Sequence, residues 1–382
     1  MKTLVTGLWP GTQAVSVAAQ ERTFRGRVFC QHGDVLIAAR RHRLFASADE
    51  GLTWREIMRL PLTGAMPAKS LTPLLQRLFR AHVYHIVPTA DGTVVVFGFR
   101  CIYVCDLGCR AVVRVVALHG SRPLAVCRVP DGRLYYGEYR GNEERRPMRV
   151  YGSEDGGRTW GEAYRFYGVR HVHGVYYDRY RDAVWVTTGD ADDEAGIWVS
   201  YDNLRTLRRI VGGSQQARVI RLVFTEDHVY FGSDAPGEQN HIYRLLPESG
   251  RVERLAEVGG PVWHGCRTAG GLLFSTACEP SRVNRLRAAQ VWYSVDGVAW
   301  RRVAEYTKDR WPMRLFQYGQ VFFAEGDDDA LGAWLSPFAT RGHQVSRYVP
   351  SPPGGPFGPD LVLRAGACGS RSVGGHTSEE RQ

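Results

Sequence analysis

Lysine is almost absent from this chain. Of 49 basic residues only Lys2, Lys69 and Lys308 are lysines, and the arginines that make up the rest are scattered among 39 acids rather than gathered in runs. The formal charge of +10 thus comes without the basic run or base-reading motif that a nucleic-acid partner requires, so no nucleic acid is expected. An anionic glycan suits such a surface better. A long hydrophobic run is also missing. No apolar segment follows the opening MKTLVTGLWPGTQ, so neither a secretory leader nor a membrane span is expected, and the expected compartment is the cytoplasm. The eight cysteines lack C-x-x-C spacing, and their one cluster, Cys101, Cys105 and Cys109, advances by fours. Buried thiols are expected from that pattern, not a zinc site or a disulfide framework.

What is present points to β-structure. Ten Trp, 18 Tyr and 15 Phe suit strands filled by aromatic and β-branched residues, and 43 Gly and 19 Pro supply the turns between them. A length of 382 residues allows two or three domains, but an internal repeat accounts for it as one. The stretch 153–202 opens on Ser153-Glu-Asp155-Gly-Gly157-Arg-Thr159-Trp160 and closes on a weaker copy, Ser200-Tyr-Asp202-Asn-Leu-Arg-Thr206-Leu207. Between the copies lie three β-type runs, HVHGVYYD, AVWVTTGD and GIWVSYD, so a turn motif returns with each four-stranded unit, every 47 residues. A full copy stands at Ser47-Ala-Asp49-Glu-Gly51-Leu-Thr53-Trp54 and a contracted one at Ser294-Val-Asp296-Gly297-Val-Ala-Trp300. The interval from 200 to 294 holds two periods, which leaves a degenerate unit at LLPESGRVERL, and VCDLGCRAVVRV fills the same role ahead of 153. With QVFFAEG, LGAWLSPFAT and HQVSRY as the last unit the count is seven.

The expected fold is therefore all-β: a single β-propeller of seven four-stranded blades over 1–349, or six blades if the terminal unit is incomplete. TPLLQRLFR has apolar residues at helical spacing and predicts a helical insertion around 60–81. The Pro- and Gly-rich stretch 350–382 reads as a poorly ordered tail.

Within the motif, Asp bonds its own backbone, Gly tolerates positive φ, Ser and Thr hydroxyls close the loop and Trp packs between sheets. The repeated Asp is thus a turn-maker rather than an acid catalyst. The copies of S-x-D-x-G-x-T-W, complete at 47 and 153 and degraded at 200 and 294, resemble the Asp-box, or BNR, repeats of sialidase-like β-propellers. His171-Val-His173-Gly174, with Thr187-Thr188-Gly189-Asp190 and Gly213-Ser214-Gln215, resembles bacterial propellers of that superfamily labelled as glycosyl hydrolases. The resemblance implies a carbohydrate-active protein. Sialidases also carry an early Arg-Ile-Pro segment; here the nearest string is Arg59-Leu60-Pro61, after a turn motif, so the likeness concerns architecture more than sialic acid.

Strand parity then places a site. In an antiparallel four-strand meander, the turn between the third and fourth strands lies on the face opposite to the start of the first strand and the end of the second. Second strands are read as ending in acids: Glu138, Asp190, Asp234, Glu279, and Glu325 with Asp327 in VFFAEGD. First strands are read as beginning at His82 or His85, His171 and His173, Arg218, His264 and Arg314. These groups should converge on one mouth. His171 and His173, two apart on a strand, share a face and could hold a divalent metal with neighbouring carboxylates, serve substrate directly, or only hydrogen-bond within the channel. Glu138 and Asp190, from consecutive units, are the first carboxylate pair for glycoside cleavage, one as protonated acid and one as ionised nucleophile or base, with Asp234 as substitute. The simpler alternative is that the acids sit around ordered water. Asn142, Glu194, Gln215, Arg218 and Asn240 offer polar groups to sugar hydroxyls, His85, His264, Asp234 and Glu279 complete the substrate-binding set, and Tyr139 offers a stacking face.

The expected function is a glycoside hydrolase acting on an acidic or complex oligosaccharide or polysaccharide, its one candidate cofactor being the divalent metal at His171 and His173. Two alternatives stand beside it. One is a polysaccharide lyase, in which His or Tyr abstracts the proton beside a uronate carboxylate that arginine or a metal neutralises. The other is a non-catalytic glycan- or protein-binding propeller.

Overall fold

The computed structural model describes residues 21–326 and 330–350. Asp327, Cys368 and all but the first residue of the expected tail lie outside the described residues. Seven four-stranded antiparallel sheets follow one another along the chain, as the seven-blade reading expected. In six of them the four strands come in sequence order from the axis outward. Each innermost strand contacts the innermost strand of the next blade, and a parallel bridge between Cys30 and Glu325 closes the ring.

The seventh blade is built differently from the reading above. Its own strands are Gln320–Phe323, Gly332–Phe338 and Val345–Pro350. The fourth, outermost strand is Thr23–Arg25, with Thr23 opposite Arg347. QVFF is therefore the first strand of its blade rather than the second. Glu325 accordingly leaves the end of a first strand, which puts it deep in the channel instead of at the mouth. Arg314 opens no strand; it lies in the short helix α3 (Met313–Phe316) that precedes QVFF.

Burial follows strand position. The second strands Thr93–Gly98 and Ala183–Gly189 are buried throughout, whereas the outer strand Ala111–Ala117 has no buried residue. The core consequently lies between blades. Tyr176, Trp185 and Ile197 of the fourth blade pack against Leu222, Phe231 and Tyr243 of the fifth. Trp185 is fully buried, and truncating such a side chain costs about 3–5 kcal/mol.

All four turn motifs join third and fourth strands. In the first, Ser47 Oγ donates to Asp49 Oδ1 at 2.7 Å, and the Asp49 carboxylate accepts from Thr53 N at 2.9 Å and Thr53 Oγ1 at 2.6 Å. Asp155 and Asp202 accept the same set from Thr159 and Thr206. In the third copy Leu204 occupies the place of Gly51 and Gly157, at φ 68°. These aspartates are consumed by the turns they make.

The insertion after the first blade carries α1 (Met66–Lys69) and α2 (Pro73–Phe79). Thr72 caps α2 by accepting from Leu75 N, Pro73 starts it, and Arg80 ends it in the left-handed conformation. Arg77, 1% exposed, ties α2 to α3: its Nε donates to Phe316 O at 2.8 Å and its guanidinium pairs with Asp309 at 2.5 Å. The two helices come together beside the mouth of the axial channel, where Gln76, Phe79 and Arg80 line the cavity wall. No helix among the described residues is long and apolar enough to cross a membrane. None of the described cysteines forms a disulfide; Cys30, Cys105, Cys127 and Cys278 are buried and Cys109 is exposed.

Candidate functional site

A cavity of about 560 Å³ occupies the axis, lined by starts of first strands and ends of second strands. By strand direction this is the face opposite the turn motifs. Five of the innermost strands break register near their start, between Val28 and Cys30, Val83 and His85, Val172 and Gly174, Val219 and Leu222, and Val262 and His264. The residues in these bulges are Phe29, Tyr84, His173, Ile220 with Arg221, and Trp263, and every one lines the cavity. A bulge leaves its extra residue unpaired and re-aims its side chain. The bulges, more than simple alternation, therefore furnish the wall.

His171, His173 and Asp190 meet, as their spacing suggested. His171 Nδ1 lies 3.0 Å from Asp190 Oδ2 and His173 Nε2 lies 3.3 Å from Asp190 Oδ1. The first contact is an ion pair by distance and is not matched by a hydrogen bond, and Nδ1 of this buried ring meets no other partner among the described residues. Their ligand atoms lie within 4.8 Å of one another, so the cluster is capable of coordinating a metal. Two guanidiniums already face the carboxylate, Arg170 and Arg218, each 3.4 Å away. Burial pushes the Asp190 carboxyl up, but the two histidines and Arg218 outweigh it and hold the group well below the usual carboxylate range. Gln215, in a single 3₁₀ turn (Gln215–Ala217), donates to Asp190 O at 2.8 Å and to Asp192 at 2.8 Å, fixing the loop from behind. Tyr139 covers His171, with ring centroids 4.3 Å apart.

Arg218 links this cluster to Asp234. Its Nε donates to Asp234 Oδ2 at 3.0 Å, and Trp263 Nε1 donates to Asp234 Oδ1 at 2.9 Å. Glu279 stands on the same wall, and its carboxyl makes no hydrogen bond or ion pair among the described residues. Burial, then the negative charge of Asp234, raises its carboxyl to about 7, against the pull of Arg218. Deeper in the channel, His85 Nε2 contacts Pro123 O at 3.3 Å and His264 Nε2 contacts Gln320 Oε1 at 2.9 Å. Burial lowers the two rings to about 4 and about 3.

Other sequence candidates do not join the group. Glu138 is buried with one oxygen 2.7 Å from Arg140 and the other 3.6 Å from Arg149, outside the cavity lining. Glu194 pairs with Arg145 and accepts from Arg170 N at 3.0 Å. Asn142 clamps a loop through Arg146 O and Arg146 N. Asn240, fully buried, bonds Ala235 through both its amide oxygen and its amide nitrogen. These four side chains are spent on holding loops in place. Conversely, sequence reasoning missed Trp263, Arg122, Arg80 and Tyr318 on the wall. The available signal was adjacency: Trp263 precedes His264, and only a bulge lets two consecutive residues share a wall.

The fold and site define an all-β, seven-bladed propeller with an arginine-rich axial cavity. No protein-family description and no curated protein matches the sequence. Among solved structures, a chain in the crystal structure of the mitotic checkpoint complex superposes with a TM-score of 0.54 at 10% identity, over 91% of this chain and 99% of that one. A chain of Kuenenia stuttgartiensis hydrazine synthase gives 0.48 at 13%, over 67% of this chain and 74% of that one. The first likeness extends to the propeller fold alone, and the second carries no argument.

Proposed function

We propose that the protein is a carbohydrate-active propeller, a glycoside hydrolase that takes an acidic oligosaccharide into its axial cavity. Glu279 carries the reading: a carboxyl near neutrality, with no protein partner, facing the cavity beside the salt-bridged Asp234. Glycoside cleavage needs one carboxyl that delivers a proton to the leaving oxygen and a second that is charged, as nucleophile or base. Glu279 supplies the first and Asp234 the second. Glu138, with its oxygens on two arginines, is passed over for the acid role. Eight arginines and three acids line the cavity, which suits an anionic ligand, and Tyr139, Trp263 and Tyr318 offer aromatic faces to sugar rings.

A second reading is favoured by the meeting of His171 and His173 on Asp190. His171, His173 and Asp190 would hold a divalent ion, and the ion would neutralise a uronate carboxylate for lyase chemistry. A panel of acidic polysaccharides, assayed with the wild type, Glu279→Gln and Asp234→Asn, tests both. The hydrolase reading expects each substitution to cut turnover by about 10²-fold or more while binding persists. Turnover that survives Glu279→Gln removes that reading. If it is then abolished by chelation and by His173→Ala, the lyase replaces it, and binding without turnover by the wild type leaves a binding propeller.

A further inference from the structure

The floor of the cavity has a charge imbalance that the chemistry at the mouth does not use. Arg27, from the first blade, is sandwiched between Phe29 and Phe322, its guanidinium carbon 4.3 Å and 3.6 Å from the two ring centroids. One of its terminal nitrogens donates to Tyr84 O at 3.2 Å, and its Nε has no partner although it is buried. Arg221, from the fifth blade, reaches across the channel to Glu325 of the seventh at 3.0 Å, and its Nε donates to Gly265 O at 2.9 Å. Glu325 is the one carboxylate at this level among the described residues that line the cavity; Asp234 and Glu279 are at the mouth.

Arg221 therefore takes the one carboxylate, and Arg27 has no ion pair of its own. The nearby rings of His85 and His264 add no compensating charge, and the thiol of Cys30 stays protonated because burial pushes it far up. Burial pushes Arg27 down to about 9, with Glu325 pulling it back and Arg221 lowering it further, so it remains cationic at neutral pH. An uncompensated charge away from bulk water is costly, and the usual remedy is a counter-charge that also satisfies the free N–H groups. The floor leaves room for one: the Arg221 side chain is 24% open and that of Glu325 37% open, both onto the cavity.

We infer that the cavity floor is an anion site in which Arg27 and Arg221 together take a single carboxylate. The planar forks of two arginines match the two oxygens of a carboxylate. A singly charged group is favoured over a phosphate or sulfate dianion because Glu325 stands within the same cluster and repels the second charge. The site is separate from Asp190, Asp234 and Glu279, and it stands whether or not sugars are cleaved at the mouth. Its occupant is either a free small acid or the carboxylate arm of a longer ligand that enters acid end first.

The test is a titration with sodium formate at constant ionic strength, read as the melting temperature of the full-length protein. A saturable rise is expected for the wild type. Arg27→Met keeps the packing between the two phenylalanines and should weaken formate at least tenfold. Glu325→Gln keeps an acceptor for Arg221 while removing the repelling charge, and should tighten formate at least threefold. Glucuronate following the same pattern while glucose gives no response identifies a sugar acid as the occupant; formate alone following it identifies a free small acid. No saturable response in the wild type overturns the site. So does a folded Arg27→Met protein that binds formate as the wild type does, or a Glu325→Gln protein that binds it more weakly.

Discussion

Glu279 makes a prediction that needs no substrate. Its carboxyl rises from 4.5 to about 7 in the folded chain. The folded state therefore binds an additional proton between those values, and stability falls as pH rises through that window. Below about 4.5 the group is protonated in both states and costs nothing; above about 7 the full penalty is in place. At roughly 1.4 kcal/mol for each pH unit the ceiling is about 3 kcal/mol, and because the cavity admits solvent the expected effect is about 1–2 kcal/mol. Glu279→Gln keeps the shape and removes the charge. It should match the wild type near pH 4 and be more stable at pH 8, by about 2–3 °C in melting temperature, as measured by thermal melts at pH 4 to 9. A gain independent of pH would show that the carboxyl is not held protonated. A loss of stability at pH 8 would show that it has a charged partner after all, and either result would refute the reasoning behind its proposed role as proton donor.

Two further outcomes follow from packing. Arg77→Ala leaves the half-buried Asp309 with Lys308 as its remaining ion-pair partner, strips Phe316 O of its donor and frees α2 from α3; it should cost about 1–3 kcal/mol in urea unfolding and open the rim to proteolysis after Phe79. Gly157 sits at φ +86° with the position of a Cβ 2.8 Å from Val95 Cγ2. Gly157→Ala should therefore cost about 2–4 kcal/mol by thermal or chemical unfolding, from both the left-handed backbone and the clash.

The repeat was legible because its turn is made by a short list of residues with fixed duties. Ser47, Asp49 and Thr53 bond one another wherever the motif stands, so the period carried the blade count and the sense of each sheet. The end of the chain was harder. The last unit has three strands of its own, and nothing local in QVFF says that its outermost partner is Thr23–Arg25, so Glu325 was placed on the wrong strand. Parity found the acids at second-strand ends but not which way they turn. Glu138 and Asp190 end corresponding strands, yet one is gripped by Arg140 and Arg149 and the other by two histidines and two arginines. That choice is made by arginines on neighbouring loops, and a chain so rich in arginine gives no hint which ones. Bulges were likewise invisible, because a register break depends on the partner strand and not on the sequence of either alone.

The way the ring is fastened has a bearing on how the protein comes into being. Ser346 Oγ donates at 2.7 Å to Gly26 O, 320 positions away in the chain, so the clasp joins the beginning of the described chain to its end. During synthesis the opening strand must wait, unpaired, until six blades and most of a seventh have emerged. Until then the interblade faces at the gap have no neighbour, and closing so large a loop is entropically demanding and slow. Shortening the chain ahead of Gly26, or blocking that strand with a bulky fusion, would leave an open arc whose exposed edge invites another arc to dock.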